Sequence, residues 1–99
     1  MRHVLATRRT VPLDRVDEYA TAWLELQASA QGSGVNAWLF RGTDHEDHFM
    51  EFLEWSDDGA PGPMPETGTL GDLRERLTAE FGHGHEDRWD EALLPDQDA

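Results

Sequence analysis

Two short runs concentrate metal-ligand and proton-transfer chemistry in this chain: His45-Glu46-Asp47-His48 and His83-Gly84-His85-Glu86-Asp87. Imidazoles flanked by carboxylates suit zinc, copper, nickel or non-haem iron. An HxxH or HxH pair chelates only where the backbone lets both rings converge, so His45, His48, His83 and His85 are the metal candidates. Neither run matches a defined signature such as HExxH. Both lie in or beside loops, where polar residues are expected anyway and little holds a ligand set in place. The expectation is no resident metal or cofactor.

Carboxylates inside an apolar run form a second set. Glu51 and Glu54 interrupt Phe49-Met50-Glu51-Phe52-Leu53-Glu54-Trp55 and alternate to opposite faces. A carboxylate deprived of water can serve as a general base. Arg9 or Arg41 can equally pair with one of them, the commoner fate of such a group. Asn36, Trp38 and Phe40 share one face of the preceding run, Val35-Asn36-Ala37-Trp38-Leu39-Phe40, and Asn36 is the only asparagine. A polar residue at a strand start usually satisfies the turn before it. Trp23, Trp38, Trp55 and Trp89 each fall on an apolar stripe, so core packing is the default for all four and pocket lining the alternative.

Composition removes several chemistries. There is no Cys and no Lys, hence no thiol nucleophile, thiolate metal site, disulfide or Schiff-base amine. No GxGxxG, Walker loop or GxSxG elbow is present. The chain has 21 acidic residues against 8 basic ones, all Arg, for a formal charge of −13. That field repels phosphate backbones and anionic lipid, so neither nucleic acid nor a membrane is an expected partner. The absence of Lys and Ile, with one Asn and one Tyr, points to a GC-rich bacterial genome. The N-terminus lacks the apolar stretch of a signal peptide and no segment is long enough to span a bilayer, so the expected compartment is the cytoplasm.

The elements that must position these residues follow from periodicity. Residues 3–11 predict a strand, stopped by Pro12. Asp14 is the expected cap of a helix whose apolar stripe is Val16, Tyr19, Ala20, Trp23, Leu26 or Gln27, and Ala30. Gly32 and Gly34 end it. Strands over 35–42 and 48–55, joined by a polar turn, predict an antiparallel hairpin. Residues 56–68, with three prolines and three glycines, read as a loop able to cover a pocket. Thr69 is the expected cap of a second helix with the stripe Leu70, Leu73, Leu77 and Phe81, ended by Gly82. Glu86 to Leu94 reads as a short third helix burying Trp89 and Leu93, and 95–99 as a polar tail after a single domain spanning 1–94.

Both hairpin strands are apolar on both faces, whereas a strand covered on one side alternates. The sheet therefore needs a helix on one face and a second cover on the other. A 99-residue domain buries only roughly two-thirds of its unfolded surface, so a second copy of the chain is the economical cover.

The order strand, helix, hairpin, loop, helix resembles the dimeric α+β barrel superfamily, which includes the antibiotic-biosynthesis-type monooxygenases, haem-degrading relatives and NIPSNAP-type barrels. The resemblance rests on Thr10-Val11-Pro12 leading into a helix with Tyr19 and Trp23, on Phe52-Leu53-Glu54-Trp55 before an acidic stretch, and on Leu77-Thr78-Ala79-Glu80-Phe81-Gly82. It implies an α+β ferredoxin-like antiparallel sheet with helices on one face, two sheets closing a barrel between subunits, and a pocket between helix and sheet. The family usually ends in a fourth strand; a helix at 86–94 would leave three.

The resemblance also implies a cofactor-independent, monooxygenase-like enzyme acting on a hydrophobic or aromatic compound. Asn36 and Trp38 would orient the substrate, His48 or Glu51 would move a proton, and Tyr19, Trp23 and Trp55 would line the site. Two other classes stand beside it: a non-enzymatic dimeric binding or assembly module, and a metal or haem protein built on the histidines. A cavity of roughly 300 Å3 with converging polar groups separates the first from the second.

Overall fold

A computed structural model describes residues 1–57 and 67–92. Most of the Pro- and Gly-rich stretch expected to cover a pocket, and the tail expected at 95–99, lie outside the described residues. The element order is β1 (Arg2–Thr10), a single 3-10 turn (Leu13–Arg15), α1 (Val16–Gly32), β2 (Asn36–Arg41), β3 (His48–Ser56), α2 (Gly68–Phe81) and β4 (His85–Asp90). The four strands form one antiparallel sheet in the order β2-β3-β1-β4, with both helices on one face. This is the expected α+β ferredoxin-like architecture.

Alternation sorts the side chains. Leu5 on β1, Ala37 on β2 and Phe49, Leu53 and Trp55 on β3 point to the helices. They meet Tyr19, Trp23, Leu26 and Ala30 of α1 and Leu70, Leu77 and Phe81 of α2 in one core. Each large side chain buried there contributes about 1.5–3 kcal/mol. Ala20, placed by periodicity on the apolar stripe, is exposed. Gln27 ties α1 to β2 by donating Nε2 to the Ala37 carbonyl at 2.9 Å.

The helix starts differ from expectation. Asp14 sits inside the 3-10 turn, which the Arg15 amide closes on the Pro12 carbonyl at 2.8 Å, and α1 begins behind Arg15 with no side-chain cap. Pro12 fixes a helical turn early, so Asp14 lies too far back to reach the free amides of α1. Likewise α2 starts at Gly68 behind Thr67, and Thr69 lies within its first turn. Gly68 takes φ +65°, which moves the entry one residue ahead of the expected cap.

The largest correction is at the C-terminal end. Over 86–90 the expected helix is instead β4, which fills the free edge of β1 with the register His3↔Asp90, Leu5↔Arg88 and Thr7↔Glu86, while Leu93 and Leu94 lie outside the described residues. The run His85-Glu86-Asp87-Arg88-Trp89-Asp90 carries no apolar stripe of either period, so local pattern is silent. The unpaired amides and carbonyls along β1 decide the matter. Gly84 permits the approach, since a Cβ there would lie 2.4 Å from Thr7 Cγ2 and 2.8 Å from the Arg8 carbonyl oxygen. The sheet thus keeps the fourth strand that a helix at 86–94 would have removed.

Candidate functional site

The face under the helices holds one polar cluster in an otherwise apolar layer. Arg9 donates Nε to Glu51 Oε2 at 2.9 Å and Nη2 to Oε1 at 3.4 Å, and the Tyr19 hydroxyl donates to Oε2 at 2.5 Å. A further Arg9 nitrogen donates to the carbonyl of Gly82, which ends α2 at φ +89°. Of the pairings open in the sequence, Arg9 or Arg41 with Glu51 or Glu54, the structure has Arg9 with Glu51, and their side chains are 4% and 7% exposed. Tyr19 packs against Phe49 at 4.9 Å and edge-on to Phe81 at 5.3 Å. Burial, then the adjacent Glu51 charge, hold its phenol far above the ordinary value. The cluster cross-links β1, β3, α1 and the end of α2, with every buried polar side-chain atom partnered. Trp23 and Trp55 fill the neighbouring layer, Trp55 stacking with His3 at 5.6 Å. The space between α1 and the sheet, where a pocket was expected, is occupied by these side chains.

The opposite face is built from the alternate residues, and register sets them in rows. Phe40, Met50, Arg8 and His85 form one row; Trp38, Phe52, Ala6 and Asp87 the next; Asn36, Glu54, Val4 and Trp89 the last. His48 stands beyond the first row, opposite Thr10. Nothing in the described chain covers this face: Trp38 is 44% exposed, Phe40 57% and Trp89 62%. Phe40 and Phe52 meet edge to face at 5.5 Å. Core packing, the default for all four tryptophans, holds for Trp23 and Trp55 and fails for Trp38 and Trp89.

A cavity of about 430 Å3 opens at the first row, lined by Arg8, Arg9, Thr10, Phe40, Arg41, Gly42, His48, Phe49, Met50 and His85. Its wall includes the hairpin turn. There the His48 amide donates to the His45 carbonyl at 3.0 Å, and a Cβ at Gly42 would lie 2.6 Å from that same oxygen. The two rings of the turn stack, with His45 and His48 centroids 4.8 Å apart. A second cavity of about 530 Å3 lies between α2 and β4 and includes His83, but its arginine, Arg74, already holds Glu86 at 2.7 Å.

The sequence-derived site residues therefore divide between two faces. Asn36, Trp38 and His48 share the open one, while Glu51, Tyr19, Trp23 and Trp55 lie in the closed one. Glu51 cannot act on a molecule held by Asn36 and Trp38, because the sheet separates them. Asn36 bonds neither the turn nor local backbone; its Nδ2 donates across to Glu54 Oε1 at 3.4 Å. Among the histidines, His48 and His85 reach one cavity and His83 another. Among the described residues no three His, Asp or Glu side chains converge as metal ligands. Sequence reasoning missed Arg8 and Met50, although alternation from His48 already puts Met50 on the face of Phe40. Arg8 joins them through the β1–β3 register.

No family model and no curated protein matches this sequence. Solved structures do. An antibiotic biosynthesis monooxygenase-type protein of Bordetella bronchiseptica is 11% identical with TM-score 0.69, covering 93% of this chain and 98% of that one. A protein of the same description from Nitrosomonas europaea is 15% identical with TM-score 0.65, over 95% and 92%. A variant of SnoaB, a cofactor-independent oxygenase from Streptomyces nogalater, is 15% identical with TM-score 0.62, over 96% and 98%. The chain has the fold of the antibiotic biosynthesis monooxygenases. At these identities the likeness is one of fold, and it bears out the resemblance read from the sequence. No helix among the described residues is long and apolar enough to cross a membrane.

Proposed function

We propose that this protein is a monooxygenase-like enzyme that acts without a bound cofactor on a hydrophobic, aromatic compound, and that it works as a homodimer through its open sheet face. One observation carries the reading: the cavity of about 430 Å3 that sets the apolar side chains Phe40 and Met50 beside the imidazole of His48. An aromatic ring lies naturally on such a floor, continued by Trp38 and Phe52. A second copy laid on the same face would exclude water from it.

Cofactor-free oxygenation requires a substrate whose carbanion is itself electron-rich. His48 takes a proton from a CH2 group held acidic by a neighbouring carbonyl and aromatic ring. The carbanion passes one electron to dioxygen, and the two radicals join as a peroxide anion. Protonation and loss of water then leave a new C=O, so that RCH2R′ and O2 become RC(=O)R′ and H2O. Trp38, one row along, and Asn36, two rows along, contact the far end of a polycyclic substrate. The aromatic floor disfavours water near the carbanion.

The fold alone supports many activities, so the test is turnover. An anthrone under air is expected to consume oxygen and give the quinone, and His48→Gln to lower the rate about 10²–10⁴-fold. No oxygen uptake above the buffer rate with any anthrone, by an enzyme that remains dimeric, would return the open face to a purely assembling role.

A further inference from the structure

The charge of the same cavity names the kind of compound it takes. In this chain carboxylates outnumber guanidinium groups by 21 to 8, so a guanidinium should find an acid wherever it sits. Arg2, Arg9, Arg15, Arg74 and Arg76 each do, holding Glu91, Glu51, Glu18, Glu86 and Glu25. Arg8 does not. It makes no ion pair or hydrogen bond among the described residues, although it stands in the row of Phe40, Met50 and His85 that floors the cavity.

Arg41 lines the cavity too and also holds no carboxylate. Its Nε donates to the Glu46 carbonyl at 2.7 Å and its guanidinium lies over the Phe49 ring at 5.4 Å, so it is held in place with its charge unneutralised. Two nearby acids lie toward the imidazoles and not toward either guanidinium, Asp47 at 3.8 Å from His48 and Asp87 at 3.3 Å from His85. Neither Asp47 nor Asp87 lines the cavity. A chain with formal charge −13 thus keeps two arginines that hold no carboxylate among the described residues, Arg8 and Arg41, at one apolar hollow. Long-range repulsion disfavours any anion here, and a local pair of guanidinium groups is what offsets it.

We propose that the cavity binds aromatic carboxylates, with the carboxylate held by Arg8 in the added field of Arg41 and the ring system on Phe40 and Met50. This rests on the reading of the cavity as the substrate site, and it narrows the substrate class from hydrophobic aromatics to anionic ones. A carboxylate held at Arg8 would also fix which end of the compound faces His48.

The test is calorimetric binding of 2-naphthoate against 2-naphthalenemethanol, which has nearly the same shape and no charge and, like naphthoate, no carbon acidic enough to react with oxygen here. At low ionic strength naphthoate is expected to bind roughly 10- to 100-fold more tightly. The preference should shrink as salt is raised. Arg8→Gln should bring the two ligands within about threefold of one another, with melting midpoint and subunit number unchanged. Equal binding of both ligands by the wild-type protein would overturn the anionic preference while leaving the cavity as a site. Binding of neither would overturn both readings. A change of subunit number in Arg8→Gln would overturn the proposal as well, assigning Arg8 to a carboxylate of a second copy. Naphthoate preference without oxygen uptake on anthrones would leave this proposal standing and remove the oxygenase.

Discussion

The two faces of the sheet are made by the same strands, residue by residue, yet they solve opposite problems. On the covered face the most deeply buried charges are matched: Arg9, Glu51 and Tyr19 saturate one another between β1, β3 and α1, and apolar side chains fill most of the remainder. On the open face aromatic side chains are exposed to solvent and Arg8 meets no carboxylate among the described residues. A matched buried charge specifies packing; an unmatched exposed one is available for binding. The difference teaches that a functional residue in this fold is to be sought where a polar group lacks a partner, and that the most buried ionisable groups here are structural.

Replacing residues on each face should break the molecule in different ways. Arg9→Leu or Glu51→Leu leaves one buried charge alone, and each is expected to lower unfolding free energy by about 3–5 kcal/mol in chemical denaturation. The double variant should recover much of that loss, since apolar pairs replace buried ion pairs well. Wild-type stability in either single variant would refute the account of the covered face. Tyr19→Phe removes one donor to Glu51 and should cost about 1–3 kcal/mol.

Tyr19 is the only tyrosine, so phenolate absorbance reports it alone. Its folded value lies above the ordinary 10.0, so the contribution of the protonated phenol is fully present below pH 10 and is lost as pH rises through the folded value. No phenolate signal is expected near pH 10 until the chain unfolds; an ordinary titration in folded protein would contradict the geometry.

Trp38→Asp probes the other face. Its effect should be seen in assembly, as a dimer-to-monomer shift in native mass spectrometry, with the single chain losing less than about 1 kcal/mol. A dimer that survives Trp38→Asp would mean that the open face is not the contact.

The smallest effect belongs to His3, at the far end of the covered face. Its Nδ1 meets Asp90 at 2.7 Å and its Nε2 meets Asp57 at 2.9 Å, joining β1 to β4 and to the residue after β3. The hydrogen bonds to Asp90 and then Asp57 raise its pKa above 6.5. A raised value means that the stabilisation is full below pH 6.5 and disappears as pH rises through the folded value. The melting midpoint should fall slightly across that window, and His3→Gln should flatten the slope.

Much of this was legible without coordinates. The apolar residues on both faces of β2 and β3 predicted a sheet needing two covers, and the stripe through Tyr19, Trp23 and Leu26 predicted the helix that supplies one. That Arg9 or Arg41 would pair with Glu51 or Glu54 was legible from two carboxylates in an apolar strand; which pair forms, Arg9 with Glu51, was not. Illegible were the fates of 86–90 and of Trp89, because a strand with no apolar stripe is defined only by the edge it joins.

The sequence by itself determined the charge, the missing nucleophiles, both helices and the hairpin, since each depends on residues near one another in the chain. Only the tertiary structure decided that Asn36, Trp38 and His48 share a face that Glu51 does not. It alone placed Arg8 and His85 in one row with Phe40. Those facts depend on the register of β1 against β3 and β4, and register between distant strands is settled by non-local pairing and packing that no local pattern encodes.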